Sequence, residues 1–415
     1  MVHVAVEGCG HGALDAIYRS LRPGVELLII CGDFQALRNI TDLDTISVPP
    51  KYKQLGDFAD YYSGKKKAPV LTIFIGGNHE CSSYLRELQY GGWVAPNIYY
   101  LGEFGSVWFK GIRISGMLGI WNGLTFYKKR TENYLLPYNP GSLRLAYHVK
   151  PKNLLKLLLS GKSDIVLSHD WPKGIWQYGD ERSLLRKKKF FKEDMQSGKL
   201  GSPAARAALE KLVPPHWFSL HLHVKFTAQF EKDVKESDDR SNESEISLDM
   251  DGDSNEIELD MDDTAPKKLR KVTRKTSFLA LDKCLPRRAF LDYVDVEPRS
   301  HTSTDSELLF YDPQALAAQK IVESFIKENT DQWLALDPQI ILDSGHCGVK
   351  FVEELEEKVL EAAKEYTGED LEVSSNFERV APSMLEDERP PLQYWSNPQT
   401  EEMCKKFNLP LPSHV

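Results

Sequence analysis

Cysteine is scarce in this chain and long apolar runs are missing, and each shortage removes a class of answers. Six cysteines, at positions 9, 31, 81, 284, 347 and 404, are scattered through 415 residues. Disulfide-built domains pack theirs densely, so reduced thiols of the cytosol or nucleus are expected instead. No stretch approaches the roughly 20 consecutive apolar residues that cross a bilayer. The first residues run straight into an apolar strand-like segment, Val2 to Val6, without the layout of a signal peptide. A soluble, intracellular chain with no membrane partner is the expectation. Positive charge is also short: 52 Lys and Arg against 61 Asp and Glu give −9, which is unpromising for a nucleic-acid partner. The deficit is local, however. Residues 231–263 hold 15 acids and 3 bases, a net of −12, so the rest of the chain is mildly basic at +3.

A chain this long exceeds the size at which one core keeps growing, so a large catalytic domain with appended parts is expected. Apolar runs punctuate the first half. Glu26 to Cys31 runs into Gly32-Asp33, Val70 to Ile75 into Gly76-Gly77-Asn78-His79-Glu80, and Ile165 to Leu167 into Ser168-His169-Asp170. Continuous runs of this kind suit strands buried on both faces, and open α/β sheets build their sites just past strand ends. Helices are expected over 12–21, 150–160 and 203–212. Two packed sheets flanked by helices accommodate this α/β pattern, although periodicity alone does not separate them from one doubly wound sheet.

From 231 to 275 the composition turns to Asp, Glu, Ser and Lys, which predicts a disordered insertion, first acidic and then basic. It divides a catalytic domain over 1–230 from returning strands over 276–300. The remainder, 301–415, reads as mainly helical, with Gln314 to Lys327 and Phe351 to Tyr366 as the clearest helices. Within the insertion, Asp249-Met250-Asp251-Gly252-Asp253 has a misplaced glycine for a calcium loop.

Five short segments bear the chemistry, in fixed order: Gly8-Cys9-Gly10-His11, Gly32-Asp33, Gly76-Gly77-Asn78-His79-Glu80, Ser168-His169-Asp170 and His221-Leu222-His223. Asp, Asn and His make a mixed oxygen and nitrogen shell suited to Zn²⁺, Fe²⁺ or Mn²⁺. Such ions lower the pKa of bound water and neutralise charge developing on a phosphorane. If His221 and His223 lie on a strand, they share a face while Leu222 points into the core. Each segment has a duller reading: a Gly-Asp after a strand is a common turn, and Cys9 at a strand end can be a small buried hydrophobe. His3, His148, His216, His301, His346 and His414 fall outside the pattern.

The order of segments resembles the metallophosphoesterase superfamily, whose usual first motif is Asp-x-His where this chain has Cys9-Gly10-His11. The resemblance implies a four-layer sandwich binding one or two divalent ions per chain. Asp33 would bridge two positions, one completed by Asn78, His169 and His221 and the other by Cys9, His11 and His223. His79 would be the general acid, with metal-bound hydroxide as nucleophile. A thiolate at Cys9 would favour Zn²⁺ over Mn²⁺ at the second position.

Longer motifs narrow the likeness. Gly32-Asp33-Phe34-Gln35, Pro49-Pro50-Lys51-Tyr52, Ser168-His169-Asp170-Trp171-Pro172, Leu200-Gly201-Ser202-Pro203 and Ala280-Leu281-Asp282-Lys283-Cys284-Leu285-Pro286-Arg287-Arg288 resemble the RNA lariat debranching enzyme family. That family hydrolyses the 2′,5′-phosphodiester at the branch of excised intron lariats, leaving a 2′-hydroxyl and a 5′-phosphate, and Cys-x-His belongs to its pattern. The resemblance implies a substrate-recognition loop over 119–149. There Trp121, Tyr127, Tyr138, Tyr147 and His148 offer ring faces to bases, and Lys128, Lys129, Arg130 and Arg144 offer cations to phosphates. An ordinary loop with packed aromatics is the plainer alternative.

Arg186-Lys187-Lys188-Lys189 reads either as an RNA track or as a solvated helix face. Pro266-Lys267-Lys268-Leu269-Arg270-Lys271 reads either as a nuclear-import signal or as a counterweight to the acidic tract. The expectation is therefore a nuclear, monomeric debranching nuclease whose C-terminal region contacts spliceosome-associated or RNA-turnover proteins. A general metallophosphoesterase acting on phosphomonoesters or phosphoproteins, and a non-catalytic scaffold of that fold, are the competing readings.

Overall fold

The apolar runs become strands, and their alternation sorts side chains to two faces. In the computed structural model, which describes residues 1–128, 134–237, 269–366, 371–387 and 389–412, the first sheet is built from β1 (Val2–Glu7), β2 (Leu27–Ile30), β3 (Leu71–Phe74), β4 (Gly92–Ala95) and β5 (Ile98–Tyr100). The second contains β6 (Phe104–Phe109), β7 (Ile112–Met117), β8 (Ile165–Ser168), β9 (His216–Ser219), β10 (Phe226–Ser237) and β11 (Leu269–Ala280). β12 (Leu291–Val296) returns to the first sheet, and β13 (Phe310–Tyr311) joins the second. The strand orders are β12-β1-β2-β3-β5-β4 and β10-β11-β9-β8-β7-β6-β13.

Val4, Val6, Leu27 and Ile29 face inward and pack with Ile114, Ile165, Leu167 and Phe218 of the second sheet. Their neighbours Ala5, Leu28 and Ile30 face outward into a second core, as a period of two requires. Helices Pro151–Leu159, Pro203–Leu212 and Pro313–Glu328 cover the outer face of the second sheet. The result is two sheets between two helical layers, which decides against one doubly wound sheet. Among the described residues no helix is long and apolar enough to cross a membrane.

Local chemistry explains the helix ends. Ser202 caps Pro203–Leu212 by accepting the Ala205 N–H at 3.1 Å, with proline at the first helical position. Asp312 caps Pro313–Glu328 in the same way at Ala315, 2.8 Å. The helix expected over 12–21 is shorter, Leu14–Arg19, because Gly12 is left-handed at φ 76° and belongs to the loop carrying His11.

Three expectations are corrected. Residues 231–237 and 269–275 fall in the stretch read as disordered, yet they form the outer half of the β10–β11 hairpin, which pairs continuously from Phe226↔Ala280 to Ser237↔Leu269. Acid meets base across it: Glu231 lies 2.8 Å from Lys275, and Asp233 lies 2.7 Å from Lys271. Composition read along the chain misses charges that neutralise each other across strands. Residues 238–268 lie outside the described residues. The segment 119–149 is not a bare loop either, since it holds helices Gly123–Tyr127 and Pro140–Tyr147 and is closed by a bridge between Ile120 and His148. The third correction concerns His221 and His223 and belongs with the site.

The C-terminal segment is tied down by polar contacts that have no signature in sequence. Gln399 accepts the Trp93 N–H at 2.7 Å and donates to the Trp93 carbonyl at 2.9 Å, while Thr400 donates to the Glu87 carbonyl. The buried Arg38 guanidinium reaches Asp42 at 3.0 Å and Glu87 at 2.8 Å, and sits 4.0 Å over the Tyr84 ring. Lys156 pairs with Glu323 at 2.6 Å between two helices.

Candidate metal centre

Each chemistry-bearing segment follows a strand end, and both sheets contribute. Cys9 and His11 follow β1, Asp33 follows β2, and Asn78 and His79 follow β3; His169 follows β8, and His221 and His223 follow β9. The carboxyl ends of these strands meet on one edge of the sandwich, so a single cluster draws on loops from both layers. Asp33 lies at its middle with its carboxylate divided: Oδ2 is 3.8 Å from His11 Nε2 and Oδ1 is 3.5 Å from His169 Nε2. Donor atoms of Cys9, His11 and His223 lie within 4.8 Å of one another, as do those of Cys9, Asp33 and His169. Asn78 Oδ1 is 3.2 Å from His169 Nε2, and the His221 ring lies 5.2 Å from that of His169. All seven residues read as ligands are thus in one place, with Cys9 common to both donor groups.

The loops achieve this through backbone that side chains rarely adopt. His11, Asp33, His221 and His223 have φ of 42°, 51°, 55° and 48°, left-handed values that persist only where the surroundings enforce them and that concentrate at functional sites. This overturns the strand reading of His221-Leu222-His223. β9 stops at Ser219, and the histidines converge through two left-handed turns of a loop. Leu222 still packs against the apolar core. Gly32 and Gly77 are needed for room, since a Cβ at either would overlap His169 Nδ1 or Asp33 Oδ1.

The electrostatics suit bound cations. Burial would raise the Asp33 carboxyl, but His169, His11 and His79 hold it far below the usual range. Burial lowers His169 and His223 to about 4, leaving the neutral imidazoles that ligate metals. His223 Nδ1 is buried with no hydrogen-bond partner, and both oxygens of the buried Glu7 are likewise unpaired. Burial, then Asp33 and Glu7, push the Cys9 thiol up, so a thiolate there needs a cation beside it. A divalent ion held by these donors would relieve the His223 nitrogen and the Cys9 thiol, and the donor set fits one.

Two residues brace the centre without joining the donor set. His79 donates its backbone N–H to Asp33 Oδ1 at 2.8 Å, and its ring Nδ1 lies 2.7 Å from the Ser47 carbonyl. Since a carbonyl only accepts, Nδ1 carries the proton, and Nε2 accepts from the Asn78 amide nitrogen at 3.1 Å. Glu80 accepts the N–H groups of Phe34, Gln35 and Gly77 at 2.8, 2.8 and 3.1 Å, binding the β2 and β3 loops together. Burial and the neighbouring Asp33 push its carboxyl up to about 8 against those three bonds. Glu80 was visible in its motif but carried no assigned role, and nothing in the sequence marks Glu7 or Ser47.

Comparison with known proteins now decides the family. A calcineurin-like phosphoesterase model matches residues 2–224, and a model of the lariat debranching enzyme C-terminal domain matches 273–412. The chain is 43% identical over 417 residues to the lariat debranching enzyme of Danio rerio, covering 98% of this chain and 66% of that protein. It is 40% identical over 420 residues to that of Homo sapiens, covering 98% and 69%. With that of Schizosaccharomyces pombe it shares 39% over 378 residues, covering 80% and 81%. This chain belongs to the lariat debranching enzyme family. It spans about two thirds of the length of its vertebrate relatives.

In this member of the family the residues assigned to substrate are differently disposed. Tyr127, Lys128 and Arg144 are exposed, and Trp121 is half-buried, its backbone N–H donating to Asp170 at 3.2 Å. The Tyr127 hydroxyl donates to Gln339 at 2.7 Å. The Tyr147 hydroxyl is 3.4 Å from Ser47 Oγ, beside the residue that holds His79. Half-buried Tyr138 meets the Tyr394 hydroxyl at 2.6 Å, and buried His148 meets Thr125 Oγ1 at 3.1 Å. Lys129 and Arg130 lie outside the described residues.

Proposed function

We propose that this chain is a metal-dependent hydrolase of the 2′,5′-phosphodiester at the branch of lariat intron RNA. The observation that carries the proposal is the divided Asp33 carboxylate between two histidine-rich donor groups, with His79 beside them and outside both. Relatives named lariat debranching enzymes supply the substrate class. Cys9, His11, Asp33 and His223 would hold one ion and Asp33, Asn78, His169 and His221 another. Fe²⁺, Zn²⁺ and Mn²⁺ are the candidates, and the soft Cys9 donor favours Zn²⁺. When bound, the metal acidifies a water molecule and offsets phosphorane charge.

His79 has the remaining task. Water adds to phosphorus, the bond from phosphorus to the 2′ oxygen breaks, and that oxygen leaves as a hydroxyl once it gains a proton. With Nδ1 fixed on the Ser47 carbonyl, the proton comes from Nε2 of the imidazolium, the nitrogen that otherwise lies 3.1 Å from the Asn78 amide. Tyr147, through Ser47, links this acid to the 119–149 segment that would contact the RNA. Action in the nucleus on excised introns, as a monomer, completes the proposal.

The test is incubation of the metal-loaded protein with a synthetic branched RNA and its 3′,5′-linked counterpart. Cleavage of only the 2′,5′ bond is expected. Equal cleavage of both, or none with any divalent ion, rejects the assignment.

A further inference from the structure

The Asp282-Lys283-Cys284 segment, far along the chain from the ligand motifs, is pressed onto the first of them. A Cβ on Gly8 would overlap the Asp282 carbonyl oxygen, Cys9 forms a parallel bridge with Lys283, and the Cys284 N–H donates to the Cys9 carbonyl at 3.2 Å. Lys283 is therefore held beside the ligand loop by backbone, whatever its side chain does. Lys283 is half-buried, and among the described residues it has no ion-pair partner.

Two more cations gather there. Arg288 pairs with Asp282 at 3.0 Å. Half-buried Lys188 is lowered first by burial, opposed by Asp282, and then by Arg288 and Lys283. Arg288 takes one oxygen of the Asp282 carboxylate and the Lys283 backbone N–H takes the other at 2.8 Å, so that carboxylate is already engaged. Cations brought next to a centre built for divalent ions repel it unless an anion lies between them.

We propose that Lys283, with Lys188 and Arg288, forms an anion subsite beside the Cys9 ligand loop that takes a backbone phosphate of the RNA strand next to the scissile one. The proposal rests on the debranching reading. It favours the RNA-track reading of Arg186-Lys187-Lys188-Lys189, in which Arg186, Lys187 and Lys189 are exposed and half-buried Lys188 holds its ammonium 5.8 Å from the Phe190 ring.

The test uses the full, metal-loaded chain and a branched RNA whose 2′ linkage is an uncleavable non-phosphate bond, leaving the flanking phosphates intact. Affinity is measured across a range of salt concentrations for Lys283→Ala, Lys283→Arg and Lys188→Ala with Lys283→Ala. Lys283→Ala should weaken binding about tenfold at low salt and flatten the slope of log affinity against log salt by about one; the double variant should flatten it by about two. Arginine should restore both, and metal content should match wild type throughout. Should alanine fail to fold, Lys283→Gln keeps the packed stem and gives the same readout. Unchanged affinity and slope would overturn the subsite, as would loss of bound metal in Lys283→Ala, which would make Lys283 a support of the centre. If wild type does not cleave a natural 2′,5′ linkage, the debranching reading falls instead, independently of the slopes.

Discussion

Replacing Gly77 with alanine should disable the centre by one methyl group. A Cβ there would overlap Asp33 Oδ1 and would lie 2.5 Å from the Asp33 backbone nitrogen and 2.7 Å from His169 Cε1. Carbon contacts settle near 3.5–4.0 Å, so these atoms must retreat by about 1 Å. Neither side can yield freely. Asp33 Oδ1 also accepts the His79 N–H at 2.8 Å, and His169 is completely buried with Nδ1 against the Cys31 carbonyl at 3.0 Å. The φ of Gly77 lies outside the left-handed region, so alanine adds no backbone strain and the effect is steric alone. Overpacking of this kind destabilises by about 1–3 kcal/mol, and displacing a catalytic group by about 1 Å lowers rate about 100-fold. The assays are kcat/KM on a 2′,5′-branched RNA, metal per chain by atomic emission, and urea unfolding. We expect reduced metal, at least 100-fold lower kcat/KM and a folded protein. Full metal occupancy with wild-type turnover would show that Asp33 and His169 do not act where they stand.

Other perturbations separate chemistry from stability. His79→Ala should lose about 10²–10⁴ in turnover with unchanged metal content; near-normal kcat would remove His79 from the reaction. Cys9→Ser should lower the number of ions bound per chain, and unchanged stoichiometry and activity would refute a ligand role. Arg38→Ala strands Asp42 and Glu87 in the interior and should destabilise by about 3–5 kcal/mol in urea unfolding; a loss under about 1 kcal/mol would mean that water or another donor replaces it. Burial would raise Glu323, but Lys156 and Lys152 outweigh it and hold the carboxyl at about 2 against a usual 4.5. The pair's stability is therefore present above about pH 4.5 and lost as pH falls toward about 2. Glu323→Gln should flatten that acid limb, and an unchanged limb would show that the pair does not set it.

What was legible followed local rules. β2, β3 and β8 are buried along their whole length, which is why their apolar runs and the polar residues past them could be read directly. Helix Pro203–Leu212 has the expected ends because Ser202-Pro203 is a start signal complete in itself. The left-handed φ of His221 and His223 was not legible, because nothing in His-Leu-His favours that conformation and only the assembled loops enforce it. Glu7 and Ser47 matter through neighbours far along the chain. The β10–β11 hairpin was hidden because acids and bases that cancel across a ladder look, in one dimension, like a solvated tract.

The order of strands has a consequence for how the protein is made. β1, which leads into Cys9, lies between β2 and β12, and β12 comes from residues 291–296. β9, which leads toward His221, likewise lies between β8 and β11. At about 5–20 residues per second of synthesis, β1 leaves the ribosome roughly a quarter of a minute to a minute before its outer neighbour exists. During that interval an apolar strand has an unpaired edge, and the loop bearing Cys9 lacks the Asp282–Cys284 segment that presses on it. Loading of ions should therefore follow synthesis of residues 282–296 rather than accompany that of the first ligand loops. Halves divided at the boundary between the two family segments would each present open sheet edges.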